Sequence, residues 1–226
     1  MRPGGKDGFL YRIIYGEKAE FGDILKKGFY KVVDVAESGS AIPQPSAKML
    51  ALGYKPLGPG NVFYTDDDIT LTTDDAVLPM SLRRISFVTD VQDSGQKQSH
   101  DVTTQADVDS GSRSYIPGAF QERTGTINGV VDIDSEEQLE LFNEYREIVF
   151  HDGSNVGVAP AKSVEHEYMM SRRETAETGE TELWEYMPLI SESIQAPKPM
   201  DGVQSFSFNY RIDGKRKPCM IIREVA

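Results

Sequence analysis

Side chains that could carry out catalysis or bind a metal are few in this sequence, and their spacing suits neither task. The three histidines, His100, His151 and His166, have no second ligand at the spacing of a zinc site. No phosphate-binding glycine loop and no Gly-x-Ser-x-Gly nucleophile motif is present. The single cysteine, Cys219, follows Pro218 near an apolar C-terminal segment, which favours a packed thiol over a reactive one.

Carboxylates are the one dense ionisable group. Asp132, Asp134 and Glu136 alternate as calcium ligands do, but this stretch lacks the glycine and the distal glutamate of an EF-hand, so capping of a helix is favoured. Two further pairs have the composition of a glycosidase site: Glu165 with Glu167, and Glu182 with Glu185. Solvated strand edges explain these pairs better. We therefore predict no catalytic residue, no metal site and no cofactor, and we interpret the chain as a protein that is not an enzyme.

The net charge of −12 is concentrated in the second part of the 226-residue chain. Residues 1–80 carry 9 basic and 11 acidic side chains and residues 81–226 carry 15 and 25, so the two parts have net charges of −2 and −10. An acidic body disfavours binding of nucleic acid by charge, because phosphate contacts need lysine and arginine. No apolar run approaches the roughly 20 residues that span a bilayer, so we expect no membrane association. A single cysteine fits a reducing compartment.

The stretch 114–153 contains the clearest predicted secondary structure, a strand followed by a helix, and the rest of the chain is organised around it. Small and apolar residues alternate with polar ones from Gly125 to Ile133, which predicts a half-buried strand. The apolar period then changes to three and four, which predicts an amphipathic helix from about 135 to 150. Ser135 and Gln138 have the spacing of a capping box at its start. Asn128 and Gly129 leave an alternative open, because Asn-Gly is also a strong hairpin signal.

The rest of the chain is rich in strand patterns. Residues 81–91 and 203–212 alternate strongly, and two strands around a charged tip at 171–182 predict a long hairpin. Residues 92–113 are polar and contain no aromatic side chain, so we expect a long inter-strand loop. The pattern favours a mainly β fold, a β-sandwich or barrel with one flanking α-helix. We expect residues 1–80 to form an N-terminal extension or arm with a few short strands, and residues 81–226 to form the β-sandwich domain.

The order of these segments resembles the tail tube, or major tail, proteins of long-tailed, siphovirus-like bacteriophages. The residues that carry the resemblance are DVTTQADVDSGSRSYIPG at 101–118, TGTINGVVD at 124–132, SEEQLELFNEY at 135–145 and PLISESIQAPKPMDGVQSFSFNYRIDG at 188–214. The resemblance covers about residues 81–226. It favours a continuous strand over a turn at Asn128 and Gly129.

The resemblance implies a structural virion protein in the phage tail, assembled in the cytoplasm of a host bacterium. Six protomers would form a ring, and stacked rings would form the conduit for DNA delivery into the host. The implied partners are other copies of the chain, a tape measure protein, a tail terminator and distal tail proteins, with double-stranded DNA passing through without specific binding. The expected loop would reach the adjacent ring, and its inter-ring candidates are Gln92, Asp93, Lys97, Asp101, Asp107, Asp109 and Arg113.

Lysine or arginine in a conduit for DNA would hold phosphate, whereas an acidic lumen repels it, and we expect the excess acid in the middle of the chain to supply that field around a ring. The lumen-facing candidates are Glu122, Thr124, Thr126, Asn128, Ser205, Ser207 and Asn209. The C-terminal stretch reverses the charge of the body, and we expect it to meet acidic surface at ring junctions; its cations are Arg211, Lys215, Arg216, Lys217 and Arg223. The alternatives are another phage tail component on a related β scaffold, such as a tail terminator or decoration protein, and a β-barrel that binds a small ligand.

Overall fold

A computed structural model describes residues 9–36, 39–101, 115–132, 134–143, 145–161, 166–176, 179–196 and 203–225. Strands dominate these residues, and the prediction of a mainly β fold is confirmed. The chain divides into two compact units: residues 1–86, 166–188 and 215–226 form unit 1, and residues 87–165 and 189–214 form unit 2.

Unit 1 is built on one large antiparallel sheet and a separate two-stranded one. Its elements are β1 (Phe9–Tyr15), β2 (Ile24–Leu25), β3 (Gly28–Asp34), α1 (Ala47–Ala51), β4 (Val62–Thr65), β5 (Ile69–Thr70), β6 (Ala76–Arg84), β11 (His166–Ala176), the first part of β12 (Gly179–Gln195) and β14 (Cys219–Val225). The strand order is β4-β3-β6-β1-β11-β12, and β14 pairs with β12. The sheet curls so that its two end strands, β4 and β14, come close together. Arg223 of β14 lies 4.0 Å from the Tyr64 ring of β4 and bonds Asp66 at 3.0 Å.

Both faces of this curled sheet are packed. The inner face buries aromatic and sulfur-containing side chains, including Phe29, Met169 and Tyr186. The outer face of β3 and β6 buries Tyr30 and Val77 under residues of the preceding and following loops. The cluster on the outer face is Leu25, Tyr30, Val32, Ile42, Phe63, Leu71 and Val77. Burial on both faces explains why this part of the sequence lacks a clean two-residue alternation.

Unit 2 is a four-stranded antiparallel sheet with one helix and one separate hairpin. Its elements are β7 (Val88–Asp101), β8 (Tyr115–Val130), α2 (Glu136–Asn143), β9 (Ile148–Asp152), β10 (Asn155–Ala159), the second part of β12 and β13 (Ser205–Ile212). The order is β12-β13-β8-β7, and β9 pairs with β10. Strand β13 confirms the alternation at 203–212, and β8 runs continuously through Asn128 and Gly129.

The division of the chain differs from the expected one. Residues 9–86 do not form a separate extension: β1 pairs with β11, from Phe9 opposite Ser171 to Arg12 opposite Tyr168. The strand predicted at 81–91 is also broken. Strand β6 ends its pairing with β1 at Arg84, Phe87 takes a positive φ of 54°, and β7 begins at Val88 opposite Gly129. The chain changes partner strands at residues that still alternate in polarity, so the pattern alone could not reveal the break.

The prediction of a loop at 92–113 is wrong for residues 92–101, which belong to a strand. Residues Gln92, Asp93, Lys97 and Asp101 lie in β7, which pairs with β8 as far as Asp101 opposite Tyr115. Ladder hydrogen bonds along two polar strands stabilise this segment, and strand pairing of this kind leaves no apolar signature in sequence. Asp107, Asp109 and Arg113 lie outside the described residues.

The helix is shorter than expected, because it ends at Asn143 and not near residue 150. The buried Asn143 amide donates to the carbonyl oxygens of Arg146 and Ala159, both at 3.0 Å, and so joins the end of the helix to the following hairpin. The β-branched Ile148 and Val149, which continued the helical period in sequence, belong to β9.

Candidate functional site

The polar residues of unit 2 form aligned rows across the sheet. In one row, Gln92, Thr126, Asn209 and Ser193 lie opposite one another on β7, β8, β13 and β12. The next row is Asp90, Asn128, Ser207 and Gln195, and the row on the other side contains Ser94, Thr124, Arg211 and the exposed Ile190 of β12. Since directly opposite residues of an antiparallel sheet point to the same side, these residues share one face.

Hydrogen bonds tie the central row together. The Thr126 hydroxyl donates to Asn209 Oδ1 at 2.9 Å, and Asn209 Nδ2 donates to Ser193 Oγ at 2.9 Å. The row lines a shallow cleft of about 440 Å³, whose remaining walls include Ser94, Thr124 and Glu192. The side chains are therefore held in place by one another and present a fixed polar surface.

The cation on this polar face is neutralised. The Arg211 guanidinium lies 2.7 Å from the Glu192 carboxylate, and both side chains are partly exposed. Asp90 accepts a hydrogen bond from Gln92 Nε2 at 2.6 Å. Apart from the exposed Ile190, the described residues of the face thus offer hydroxyl, amide and carboxylate groups, with their arginine bound to an acid. Such a surface has little attraction for phosphate.

The opposite face is apolar and depends on two glycines. Phe206, Phe208 and Tyr210 are buried there, and the rings of Phe206 and Tyr210 lie over β8. A Cβ on Gly129 would lie 2.5 Å from Phe206 Cε1 and 2.8 Å from the Phe87 carbonyl oxygen. Gly125 is covered in the same way by the Tyr210 ring. The Asn128–Gly129 pair is therefore a strand position under an aromatic ring, which decides between the two sequence interpretations.

Helix α2 covers this apolar face. The Phe142 ring packs edge-on to Phe206 with centroids 5.8 Å apart. At its start, Ser135 Oγ accepts a hydrogen bond from the Gln138 backbone N–H at 3.3 Å. The Gln138 side chain is fully buried and bonds the Asp132 N–H at 2.8 Å and the Val130 carbonyl at 3.0 Å. These bonds fix the helix to the end of β8 and leave the polar face uncovered by it.

The structure brings together most of the lumen-facing candidates. Thr124, Thr126, Asn128, Ser207 and Asn209 lie in the polar rows, and Ser205 is opposite Val130 at the end of the same sheet. Glu122 belongs to β8 opposite Gln96. Sequence analysis missed the contributions of β7 and β12 to this face, which are Asp90, Ser94, Glu192, Ser193 and Gln195. The alternation of β12 is interrupted by a bulge between Ser191 and Ser193, and this irregularity hid the pattern.

Unit 1 contains a partly buried polar cluster that sequence analysis also missed. Lys31 Nζ bonds Glu167 Oε1 at 2.8 Å and the Tyr186 hydroxyl at 2.9 Å, and the Tyr15 hydroxyl donates to Glu167. Arg216 lies 3.5 Å from the same carboxylate. Burial, followed by the hydrogen bond to Glu167 and then the Glu167 charge, raises the pKa of Tyr15; burial and the neighbouring Tyr15 raise the pKa of Tyr186. Both phenols stay protonated, so the cluster joins β1, β3, β11 and β12 by hydrogen bonds and a charge pair.

Several of the C-terminal cations have contacts within their own unit, and their expected role at ring junctions stays a prediction. Arg223 bonds Glu182 at 3.0 Å, Arg216 lies beside Glu167, and the Lys217 ammonium donates to the Pro59 carbonyl at 2.5 Å. The Arg211 guanidinium is paired with Glu192 in the same way.

The carboxylate groups considered for chemistry have structural roles where they are described. Asp132 accepts the Asp134 N–H at 3.2 Å in the turn before α2, and Glu182 pairs with Arg223. Glu165 lies outside the described residues. Within the described segments, no three His, Cys, Asp or Glu side chains lie close enough to share a metal ion. No helix in those segments has the length and apolarity needed to cross a bilayer.

Comparison with known proteins gives weak structural neighbours. No protein-family model and no curated protein sequence matches the chain. One similar solved structure is a chain of the PVC sheath–tube complex of an extracellular contractile injection system in its extended state, with 14% identity, a TM-score of 0.39 and coverage of 63% of this chain and 84% of that chain. Another is the tail of an empty GTA particle with C6 symmetry, with 15% identity, a TM-score of 0.37 and coverage of 64% and 87%.

Proposed function

We propose that this chain is a tail-tube structural protein of a phage-like particle. Six copies form a ring around a bore, rings stack into a tube, and the polar face of unit 2 lines that bore. The observation that carries the proposal is the two-sided character of the unit 2 sheet. One side is sealed by α2 and aromatic rings, and the other is a hydrogen-bonded field of polar side chains with its arginine neutralised.

The edge of this sheet supports assembly between copies. Strand β7 ends the strand order, so no other described strand pairs with its outer edge along 14 residues. An exposed edge of that length is a template for another chain, and monomeric proteins normally shorten or block it. Addition of a neighbouring protomer's strand would satisfy the unpaired backbone groups and continue the polar face around a ring.

The far part of the β7–β8 ribbon supports contact between rings. Strand β13 pairs with β8 from Val130 to Thr124, whereas β7 and β8 pair with each other as far as Asp101 and Tyr115. In the described register, the ribbon therefore extends about seven residues beyond β13, roughly 23 Å at 3.3 Å per residue. This β arm occupies the place of the expected inter-ring loop, and it is our candidate for the part that reaches the next ring.

A tube lined in this way suits the passage of double-stranded DNA. Binding of DNA to a protein surface rests on lysine and arginine contacts to phosphate, and the proposed lining offers hydroxyl and amide groups in their place. DNA can slide past such a wall without being held. The tape measure protein, tail terminator and distal tail proteins are partners that this role requires at the ends and in the bore of the tube.

The experiment that tests this function is size analysis of the purified protein over a range of concentration and salt. Sedimentation velocity and negative-stain electron microscopy should show rings or tubes that increase with protein concentration. Protein that stays monomeric at every concentration and salt tested would contradict the proposal. A virion whose tail is normal without this chain would contradict it as well.

A further inference from the structure

The β9–β10 hairpin of unit 2 exposes apolar side chains on both of its faces. Val149 lies opposite Val158, and Phe150 on the other side lies opposite Gly157. Phe150 is 66% exposed, and every residue of β10 is exposed. Exposed apolar surface of this kind normally marks an interaction site, since its removal from water by a partner lowers the free energy. The hairpin has no place in the lining of the proposed bore, so its apolar residues need another explanation.

The segment around α1 in unit 1 has the same character. The helix has no buried residue, although Ser46 caps it by accepting the Met49 N–H at 3.3 Å. Leu50, Leu52 and Tyr54 are exposed, Leu52 by 69%. A capped single turn that buries nothing in its own unit presents an ordered apolar surface for a partner.

The charges around the two surfaces are complementary. Residues 39–61 contain two lysines, Lys48 and Lys55, and no acidic residue. Residues 134–161, which hold the hairpin and the helix that Asn143 joins to it, contain seven acidic residues and one arginine, and the hairpin itself contains one of the seven, Asp152. Two hairpins brought together would place like charges side by side, and two α1 segments would do the same. Opposite charges meet when the α1 segment of one copy contacts the hairpin of another. The opposite charges of the two surfaces therefore favour contact between the α1 segment of one copy and the hairpin of a second copy.

We propose that residues 46–55, the α1 segment, of one copy dock on the β9–β10 hairpin of a neighbouring copy. The proposal rests on the self-assembly proposed above and assigns two of its surfaces. Apolar side chains form the centre of the contact, and Lys48 and Lys55 face acidic residues such as the exposed Glu147. The two surfaces are different, so the contact is head-to-tail and propagates through a ring or a filament instead of ending at a dimer.

Site-specific crosslinking tests this contact directly. Ala51→Cys and Asn155→Cys place thiols at exposed positions of the two surfaces and keep the apolar side chains, in a background with Cys219→Ala. Each variant is purified alone, the two are mixed, and a short bis-maleimide is added. We expect crosslinked dimer in the mixture and little in either variant alone, and a ladder of multimers when both cysteines are in one chain. Val203→Cys mixed with Ala51→Cys is the matched control, because Val203 is exposed and outside both surfaces.

Charge reversal provides the second arm. Lys48→Glu with Lys55→Glu should reduce the yield of crosslinked dimer, and Glu147→Lys in the Asn155→Cys partner should restore it. The inference is overturned if the mixture gives no more dimer than the Val203 control, or if Asn155→Cys alone gives as much as the mixture. Tubes seen without the crosslink would overturn this contact and leave the proposed function standing. The crosslink without rings or tubes would support the contact and count against the proposed function.

Discussion

At the scale of single residues, the glycines of β8 show how the sheet achieves two different faces. Tyr210 and Phe206 of β13 lie directly opposite Gly125 and Gly129, and their rings occupy the space that a side chain on β8 would fill. The polar residues between these glycines, such as Thr126 and Asn128, then point away from the rings. Asn-Gly is a turn signal when only neighbours in sequence are considered, and it needs the cross-strand aromatic residue to be understood as a strand.

Gly129→Ala should destabilise the protomer by about 1–3 kcal/mol, because the new methyl group overlaps Phe206 and the Phe87 carbonyl oxygen in a packed core. Gly157→Ala is the control, since a Cβ there meets no atom within 4 Å, and its effect should stay within about 0.5 kcal/mol. Chemical denaturation at a protein concentration that keeps the chain unassembled measures both. Equal stability of the two variants would show that the Phe206 ring does not pack tightly against Gly129.

Asp75 is a second residue whose role is set by its contacts. Its side chain is buried and accepts hydrogen bonds from the Ala41 N–H at 2.6 Å, the Ala36 N–H at 2.9 Å and the Thr73 hydroxyl at 2.6 Å. Burial by itself raises the pKa of this carboxyl, but the hydrogen bonds from Thr73, Ala36, Ala41 and Ser40 outweigh it and hold the pKa below 3.8. The lowered pKa makes the charged form a source of stability.

Asp75→Asn should destabilise unit 1 by about 2 kcal/mol at neutral pH, because the amide cannot replace all the accepted bonds. A group with a lowered pKa in the folded state contributes stability above its unfolded pKa and loses it as the pH falls through the folded value. The difference between wild type and variant should therefore shrink below about pH 4. Unfolding free energies from pH 7 to pH 2 measure this, with the exposed neighbour Asp74→Asn as control. A difference that stays constant with pH would rule out the charged carboxylate as its cause.

At the scale of elements, the sequence predicts those strands whose two faces differ. Strand β13 and the second half of β8 have one aromatic or small face and one polar face, and their alternation is correct in register as well as in existence. The alternation fails to predict strands whose two faces have similar surroundings. Residues 92–101 have polar side chains and form a strand through backbone pairing with β8. Ile148 continues the helical spacing of apolar residues, although the helix has already ended at Asn143.

Tertiary contacts distant in sequence explain these failures. Asn143 ends α2 by bonding Ala159, sixteen residues away, and β1 finds its partner in β11, beyond residue 160. No local pattern contains such information. The candidate lumen residues on β8 and β13 could be named from alternation, whereas those on β7 and β12 required the strand order.

The cap of α2 gives a prediction at this scale. Ser135→Ala removes the acceptor of the Gln138 N–H and should cost about 1 kcal/mol, while Ser135→Thr keeps a hydroxyl and should cost less. The helix shields the Phe206 face, so the alanine variant should also increase hydrogen exchange at residues 136–143. Exchange measured by mass spectrometry decides this. Unchanged protection in Ser135→Ala would show that packing alone holds the helix.

At the scale of the whole molecule, the two faces of the unit 2 sheet differ in what they can meet in an assembly. Hydrogen bonds among its own side chains order the polar face, and the arginine among its described side chains is paired with an acid, whereas the apolar face is closed by its helix. A surface with these properties suits a wall past which a polyanion moves.

Lysine on this face should convert that wall into one that holds DNA. Thr126→Lys with Asn209→Lys adds two cations per protomer at the centre of the polar rows, and repetition around a ring multiplies them. Assembled protein should then retain double-stranded DNA in a salt-dependent way, measured by co-sedimentation. Thr126→Gln with Asn209→Gln is the control for size and should retain none. Equal retention by both variants would place the polar face away from the path of DNA.

The most direct test of the central claim is a cryo-electron microscopy reconstruction of the assembled protein. The account predicts a hollow ring or tube in which Thr126, Ser207 and Asn209 face the bore and α2 lies on its outer side. An assembly with α2 on the bore wall, or protein that remains as single protomers in every condition, would contradict it.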